Sequence, residues 1–243
     1  MMSVIIYGER KKGATKLEKY GTVPKKFTKK WWEYFWDYYK WHTIGTAFAL
    51  ILIGVTIHQY ATQIHYDAMI TLSGGYGLNE TLMDEVELAL AEVIDDSNGD
   101  GEKHVLIEQL INPPVAEGQV KDAQYEMAIA TKVMVEFAAG ESCTYFLSKD
   151  EVNKYLNDSA NDGFFIPVEE YVTVMPDKSR LMSARGTAYA VNLGECRFFA
   201  ERGIDASEYY LMIRNPRYNE VDDEEALART ENARKIAAYI IAE

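Results

Sequence analysis

The chain has 243 residues, of which 26% are charged, and a formal net charge of −13. This length allows one or two domains. The charge is unevenly divided: residues 1–40 hold ten Lys or Arg against four Asp or Glu, whereas residues 61–243 hold 15 basic against 34 acidic groups. Because binding to phosphate groups needs a basic surface, the acidic majority of the chain argues against nucleic-acid binding.

An apolar stretch near the N-terminus is the most informative part of the sequence. From Trp41 to Tyr66 there is no Asp, Glu, Lys or Arg, and its centre, residues 44–57, is almost wholly apolar. About 20 apolar residues in a helix span a bilayer core of about 30 Å. A buried core helix of a soluble protein rarely stays uncharged for this length. We therefore predict one transmembrane helix over residues 41–61.

The flanking charges predict how this helix is oriented. Cytoplasmic flanks of membrane spans are enriched in Lys and Arg, so the basic N-terminus is expected inside and residues 62–243 outside the cell. A cleaved signal peptide is the alternative, but it would have a short basic region and small residues after its apolar core. Here the basic region is 40 residues long and His58-Gln59-Tyr60 follows the core. The prediction is a single-pass protein of the cell membrane with a retained signal-anchor.

Two segments precede the predicted span. Residues 1–26 mix Gly, Lys and short polar residues and are predicted to form a flexible basic cytoplasmic tail. Residues 27–40 contain three of the four tryptophans, and their charged residues recur at helical spacing. We interpret them as an amphipathic helix at headgroup depth, so that residues 31–61 contact the lipid bilayer. An aromatic docking surface for a cytoplasmic or membrane partner is the alternative.

Residues 62–243 alternate between strand and helix patterns, which predicts a three-layer α/β domain with a parallel sheet. Apolar runs predict strands at 66–72, 105–111, 144–147, 169–175, 187–193 and 209–214. Helices are predicted after the capping residues Asn79 and Asp122, at 150–156, at 195–202 and over 224–241. The last helix is expected to bury Leu227, Ala233, Ile236 and Ile240.

Two cysteines, Cys143 and Cys196, fall in the predicted outer domain. A disulfide is allowed in that compartment, but the sequence does not place the two sulfur atoms within bonding distance. Two free, buried cysteines that act as small hydrophobic residues are the alternative.

An acidic turn resembles the first half of a calcium-binding loop. Oxygen-bearing side chains recur at every second position, with Gly at the sixth: the candidate ligands are Asp96, Asn98, Asp100 and Glu102. The twelfth position, which should be Glu, is Ile107. The competing interpretation is a helix-to-strand turn in which Asn, Asp and Gly supply the geometry. Calcium is the one cofactor that the sequence suggests.

A glycine-rich turn lies between the first predicted strand and the first predicted helix. Backbone N–H groups at such a position can hold an anion or a small polar ligand, although Glu80 replaces the third Gly of a dinucleotide-binding motif. Ligands of open α/β sheets bind beyond the carboxyl ends of the strands. The candidate ligand-binding residues at these ends are Gly74, Gly75, Tyr76, Gly77, Asn79, Asn112 and Ser148. A tight structural turn is the alternative.

The sequence gives no catalytic pattern. Its four histidines are not paired with a second metal ligand at a useful spacing, and neither a Ser/His/Asp nor a Cys/His arrangement can be assembled. We therefore expect that the protein is not an enzyme.

Two segments resemble known families. The segment YYKWHTIGTAFALILIGVTIHQY resembles the anchor of small single-pass membrane proteins from clostridia and related Gram-positive bacteria. The run from Gly75 to Leu110, and then ATKVMVEFAAGESCTYFLSKDEVNKYL, resembles the first lobe of extracellular solute-binding proteins of the periplasmic type 2 class. This resemblance implies a truncated solute-binding-like domain outside the cell.

Two functions follow from this resemblance. Complete solute-binding proteins have two lobes and are longer than the roughly 180 residues outside the predicted membrane span. We therefore expect an interaction or scaffold module that binds a protein of the cell envelope. The alternative is a tethered solute-binding-like domain that captures a small molecule or peptide.

Overall fold

The computed structural model describes residues 24–111, 123–139, 141–158 and 162–242. The chain divides into two compact units, Met1–Gln63 and Ile64–Glu243. Only residues 24–26 of the predicted basic tail are among those described.

The first unit contains one long helix, α1 (Lys29–Ala61). The predicted amphipathic and apolar segments are thus parts of one continuous helix of 33 residues, which begins where the Thr28 hydroxyl accepts a hydrogen bond from the Trp31 N–H group at 3.3 Å. None of the side chains of this fully described helix is buried. By length and composition, α1 is the one helix of the described chain that could cross a membrane.

The second unit is built on a six-stranded sheet. Its strands are β1 (Ala68–Ser73), β2 (Val105–Leu110), β3 (Thr144–Ser148), β4 (Leu181–Ala184), β5 (Thr187–Asn192) and β6 (Tyr209–Ile213), in the order β2-β1-β3-β6-β5-β4. β1 pairs in parallel with β2 and β3, whereas β6 is antiparallel to β3 and β5, and β4 is antiparallel to β5.

The prediction of a parallel sheet is therefore wrong for half of the strands. A parallel connection needs a crossover of a dozen or more residues, which the helices between β1, β2 and β3 supply. β4 and β5 are joined only by Arg185 and Gly186, whose φ angles are 52° and 88°. Positive φ at both central residues is the geometry of a two-residue hairpin turn, which forces these strands to run antiparallel.

Five α-helices lie in the described part of the second unit. They are α2 (Glu80–Ala91), α3 (Ala123–Ala139), α4 (Lys149–Asn157), α5 (Arg197–Ala200) and α6 (Glu224–Ile241). Two of them begin at capping side chains: Asn79 accepts from the Leu82 N–H group at 2.9 Å, and Asp223 accepts from the Glu225 N–H group at 3.0 Å. The predicted cap at Asp122 lies outside the described residues.

Apolar cores lie on both faces of the sheet, which gives three layers. α2, α5 and α6 pack on one face, against side chains such as Ile70 and Phe146. α3 and α4 pack on the other face, against Tyr145 and Leu147. Side chains of β3 point alternately into the two cores, as the pleat of a strand requires.

Two local expectations are wrong. Residues 169–175 do not form a strand: a 3-10 helix, Val168–Glu170, is followed by irregular chain, and the Tyr171 N–H group donates back to the Val168 carbonyl at 3.2 Å. β4, which was not predicted from the sequence, is the edge strand beside β5.

Leu227 is 41% exposed rather than buried. The buried face of α6 includes Ala226 instead, one helical position away.

Both cysteines are described, and both are free and buried. Burial raises the pKa of the Cys143 thiol, against the opposing effect of the nearby Arg214 charge. The structure therefore has two free, buried cysteines rather than a disulfide.

A buried ion pair fixes the segment that leads from β6 to α6. The Arg214 guanidinium donates to the Glu220 carboxylate at 2.7 Å and to the Ser142 carbonyl at 3.2 Å. Although burial opposes it, hydrogen bonding from Arg214 and from the Arg217 backbone lowers the pKa of Glu220. This pair therefore joins the chain before β3, the end of β6 and the approach to α6.

Replacement of Glu220 by Gln should lower the free energy of unfolding of residues 64–243 by about 3 kcal/mol, because the Arg214 charge stays buried without its partner. Urea denaturation at pH 7 measures this change. Since the pKa of Glu220 is lowered in the fold, the stabilisation is present above the ordinary carboxyl pKa of about 4.5 and is lost as the pH falls, so the difference between variant and wild type should shrink in acid.

The matched control is Glu225→Gln, which breaks an i, i+4 pair in α6 between the exposed Glu225 and the partly buried Arg229. Its expected cost is only about 0.3–0.5 kcal/mol. Equal losses in the two variants would show that the Arg214–Glu220 pair has no special role.

Candidate functional site

The carboxyl ends of β1 and β3 are the place in this sheet where a ligand site is expected. These strands are parallel neighbours, and the two connections that begin at β1 and β2 place α2 on one face and α3 on the other. The strand order therefore reverses between β1 and β3, and open α/β sheets bind ligands in the crevice at such a point. The glycine turn after β1 and the start of α4 after β3 meet at this edge.

The glycines of this turn are required by its geometry. Gly74, Gly75 and Gly77 have φ angles of 75°, 65° and 73°, a region that side chains disfavour. Space is also restricted, because a Cβ atom on Gly75 would lie 2.6 Å from the Tyr209 hydroxyl, and one on Gly77 would collide with Ile111. The turn therefore approaches its neighbours closely.

Two side chains hold the turn in place. The Tyr209 hydroxyl accepts from the Gly77 N–H group at 2.8 Å and donates to the Gly74 carbonyl at 3.1 Å. Gln109 accepts from the Leu78 N–H group and donates to the Leu78 carbonyl, both at 2.8 Å. Burial raises the pKa of Tyr209, so its hydroxyl stays neutral and can act in both roles. Of the backbone N–H groups that the sequence suggested for an anion, that of Gly77 is thus bound within the protein.

A carboxyl group lies at the centre of the crevice. Glu151, in the first turn of α4, accepts a hydrogen bond from the Ser73 hydroxyl at 2.8 Å. Its other oxygen is buried and has no hydrogen-bond partner among the residues that the structure describes. Burial raises the pKa of Glu151, and the hydrogen bond from Ser73 opposes this rise. The side chain of Ser148 closes the crevice, because a Cβ atom on Gly74 would collide with its hydroxyl.

The structure divides the predicted ligand-binding residues between two places. Gly74, Gly75 and Ser148 lie around the Glu151 crevice, and Asn112 lies outside the described residues. The others line an open cavity of about 510 Å³ at the start of α2, whose walls are Tyr76, Gly77, Leu78, Asn79, Leu82 and residues 203–205. Asn79 uses its side-chain oxygen as the cap of α2.

Four residues of this crevice were not predicted from the sequence: Ser73, Gln109, Glu151 and Tyr209. One local signal was available for Glu151: Ser148 and Glu151 have the S-x-x-E spacing of a capping box. In the structure the Ser148 side chain makes no capping hydrogen bond, whereas the Ser148 backbone is one of the groups that oppose the rise in the pKa of Glu151. No local pattern could have indicated Tyr209, because it approaches the turn from a strand more than 130 residues away.

The oxygens of the acidic turn take part in backbone hydrogen bonds. The Asp96 carboxylate accepts from the Gly99 and Gly101 N–H groups at 2.6 and 2.9 Å, and the bond from Gly101 is the main cause of its lowered pKa. Three further bonds complete the turn: Asp100 N–H to Asn98 Oδ1, Glu102 N–H to Asp100 Oδ1, and Glu102 to the His104 ring. Within the described part of the chain, no three His, Cys, Asp or Glu side chains are grouped so that they could hold a metal ion. Calcium binding stays a prediction.

Comparisons with known proteins give no family assignment. No family model matches the sequence, and no curated protein or solved structure is significantly similar to the chain.

The raised pKa of Glu151 predicts a pH-dependent stability. A carboxyl group with a raised pKa stabilises the fold at low pH, and this contribution is lost as the pH rises through its folded value. Glu151→Gln keeps the shape of the side chain without its charge. The melting temperature of the variant relative to wild type, measured by circular dichroism on residues 64–243, should therefore rise between pH 4.5 and pH 7.

The control is Asp150→Asn, an exposed carboxylate in the same turn of α4. Its melting temperature relative to wild type should change less over this pH range. A Glu151→Gln difference that is the same at both pH values would contradict a desolvated carboxyl group in the crevice.

Proposed function

We propose that this chain is a single-pass membrane protein whose N-terminus is cytoplasmic and whose α/β domain is an interaction module outside the cell. The long, apolar and unburied α1 supports the membrane span. The excess of Lys and Arg before this helix supports the orientation, because positively charged flanks stay in the cytoplasm.

Cysteine labelling of intact cells tests the orientation. Both native cysteines are buried, so a membrane-impermeant maleimide should react only with an engineered site. Glu224→Cys, at the exposed start of α6, should be labelled in intact cells, whereas Thr22→Cys should be labelled only after lysis. The opposite pattern would reverse the topology, and labelling of both sites before lysis would rule out a membrane span between them.

The side-chain contacts within the crevice favour an interaction module over a domain that captures a solute. Tyr209 and Gln109 bind the glycine turn, and Ser148 fills the space beside Gly74. A ligand at this edge would have to displace side chains that already bind the Gly74 carbonyl, the Gly77 N–H group and both backbone groups of Leu78. Such displacement loses hydrogen bonds that the ligand must replace.

The proposal of an interaction module rests on the exposed apolar side chains of α3. Val133 and Phe137 of this helix are buried in the core, but Met127 and Met134 are each 70% exposed and Val135 is also exposed. Their spacings of seven and eight residues place these three side chains on one face. Exposed apolar side chains on one helix face can form an interaction site, and methionine adapts well to a partner surface.

The charge around this face indicates the chemistry of the partner. Lys132, the basic residue of α3, is bound to Glu108 at 2.5 Å, and residues 61–243 carry an excess of acidic groups. A complementary surface would have an apolar centre with Lys and Arg at its rim. The expected partner is a protein of the cell envelope with such a surface.

Site-specific photocrosslinking tests this surface. A benzoylphenylalanine at position 134 should crosslink to one envelope protein in the native host, and the adduct should decrease strongly when Met127→Asp is added. Position 88 is the matched control, because Leu88 is exposed to a similar degree on α2. Leu88→Asp should leave the adduct at position 134 unchanged. Equal crosslinking at positions 88 and 134, or none above background at 134, would contradict the proposal.

A tethered solute-binding domain is the second candidate. The open cavity beside Tyr76 and Asn79 favours it, as does the resemblance of this part of the sequence to a solute-binding lobe. A saturable thermal shift with a sugar, amino acid or peptide would support this function. The shift should disappear in Tyr76→Ala, a change at an exposed side chain.

A further inference from the structure

The charged residues of α1 lie on one side of the helix, between residues 29 and 40. At about 100° per residue they fall within an arc of about 100°: Lys29, Lys30, Glu33, Asp37 and Lys40. The opposite side is aromatic, and its rings pack along the helix, with the centroids of Trp31 and Phe35 5.4 Å apart and those of Phe35 and Tyr39 5.6 Å apart. Trp32 is 54% exposed. No side chain of α1 is buried by the described part of the chain, so this aromatic face is uncovered.

The length of α1 indicates where this face lies. The helix has 33 residues and is therefore about 50 Å long. A bilayer is about 30 Å thick in its hydrocarbon core and about 40–45 Å thick with its headgroups. With residues 41–61 across the core, residues 29–40 continue for about 18 Å along the helix axis, of which one headgroup layer covers about 5–8 Å. The rings of Trp31 and Phe35 then lie beyond the lipid, and we expect that protein covers them.

A heptad repeat runs along this face and into the apolar segment. Alternating steps of four and three residues define a heptad stripe, which consists of Trp31, Phe35, Tyr38, His42, Gly45, Ala49, Leu52, Thr56 and Gln59. The positions that flank the stripe before and at the start of the apolar segment are also aromatic: Trp32, Tyr34, Tyr39 and Trp41. Helices that pack along such a stripe wind around each other as a coiled coil. All the charged residues of α1 occupy the remaining, outward positions of the heptad.

We propose that the heptad stripe is an interface between copies of this chain, which associate through parallel α1 helices. This inference rests on the membrane span proposed above, because insertion in one orientation makes the helices of all copies parallel. It does not depend on the partner surface of α3.

A second copy fits the heptad stripe better than an unrelated helix does. The partner helix has to change from an aromatic to an aliphatic surface at the same depth as α1, and a second copy does so by identity. In a parallel pair the stripe meets itself, so that Trp31, Phe35 and Tyr38 pack between the copies while the charged side stays in water. Within the membrane, the small residues Gly45 and Ala49 let the two backbones approach.

Disulfide crosslinking of the full chain in isolated membranes tests this interface. Phe35→Cys lies in the heptad stripe and Asp37→Cys on the charged side, and the wild-type chain is the blank because both native cysteines are buried. Oxidation with copper phenanthroline should give at least about fivefold more disulfide-linked dimer from Phe35→Cys than from Asp37→Cys, because only stripe positions come within bonding distance of each other. Equal yields from the two positions would overturn the proposal.

Two tryptophans of α1 supply matched second substitutions. Trp31→Glu, added to Phe35→Cys, should lower the dimer yield about fivefold, because it places two like charges within the interface. Trp36→Glu should leave the yield unchanged, because Trp36 lies outside the heptad stripe and its flanks and is 56% exposed. Equal losses from the two substitutions would contradict the assignment of the interface to this side of α1.

Extraction of the same membranes with alkaline carbonate separates this proposal from the membrane span. A chain that stays in the membranes but gives no dimer from Phe35→Cys would overturn the interface and leave the span intact. A chain that carbonate releases would refute the span, and the proposed interface with it.

Discussion

The buried Asp67 carboxylate is the constraint on which the arrangement of the domain depends. It is fully buried and accepts hydrogen bonds from the Ser97 N–H group at 2.7 Å and from the His104 N–H group at 2.9 Å. Asn232 of α6 donates to the Asp67 carbonyl at 3.2 Å and exchanges two hydrogen bonds with the Asp95 backbone. A buried carboxylate is tolerated only when it is well hydrogen-bonded, so these groups must come together for the domain to fold. The start of β1, the acidic turn and α6 are thereby fixed to one another.

The hydrogen bonds of Asp67 and Asn232 constrain both candidate sites that were predicted from the sequence. The acidic turn is held by Asp67 at one side and by its own carboxylates within, so its oxygens already have structural roles. At the other end of β1, the chain emerges at Ser73 and meets Glu151 and Tyr209. Among the buried side-chain atoms described in this crevice, one oxygen of Glu151 has no hydrogen-bond partner. The side chains of the crevice therefore mainly connect the ends of β1, β3 and β6.

Local patterns predicted most of the elements because their causes are local. Apolar runs and capping side chains such as Asn79 and Asp223 depend on a few neighbouring residues, and α6 has the bounds expected from the sequence. Strand pairing is different, because strand propensity depends on which partner edge is available. Residues 169–175 have the composition of a strand, but the edge beside β5 belongs to β4, which a two-residue turn holds there.

The candidate site was predicted only in part for the same reason. The glycine turn and Ser148 follow directly after strands, so their position at the carboxyl edge could be read from the sequence. Tyr209 and the Asp67–Asn232 contact join residues more than 130 positions apart, and no periodicity within one segment encodes such a pair. A single sequence thus indicates where backbone turns lie, but not which distant side chains fill them.

The acidity of the domain affects partner binding at the proposed surface on α3. At physiological ionic strength the field of exposed charges decays over about 8 Å, so the excess of acidic groups acts mainly on partners that approach the surface closely. At α3 this field adds to the apolar contact and selects a partner with a basic rim.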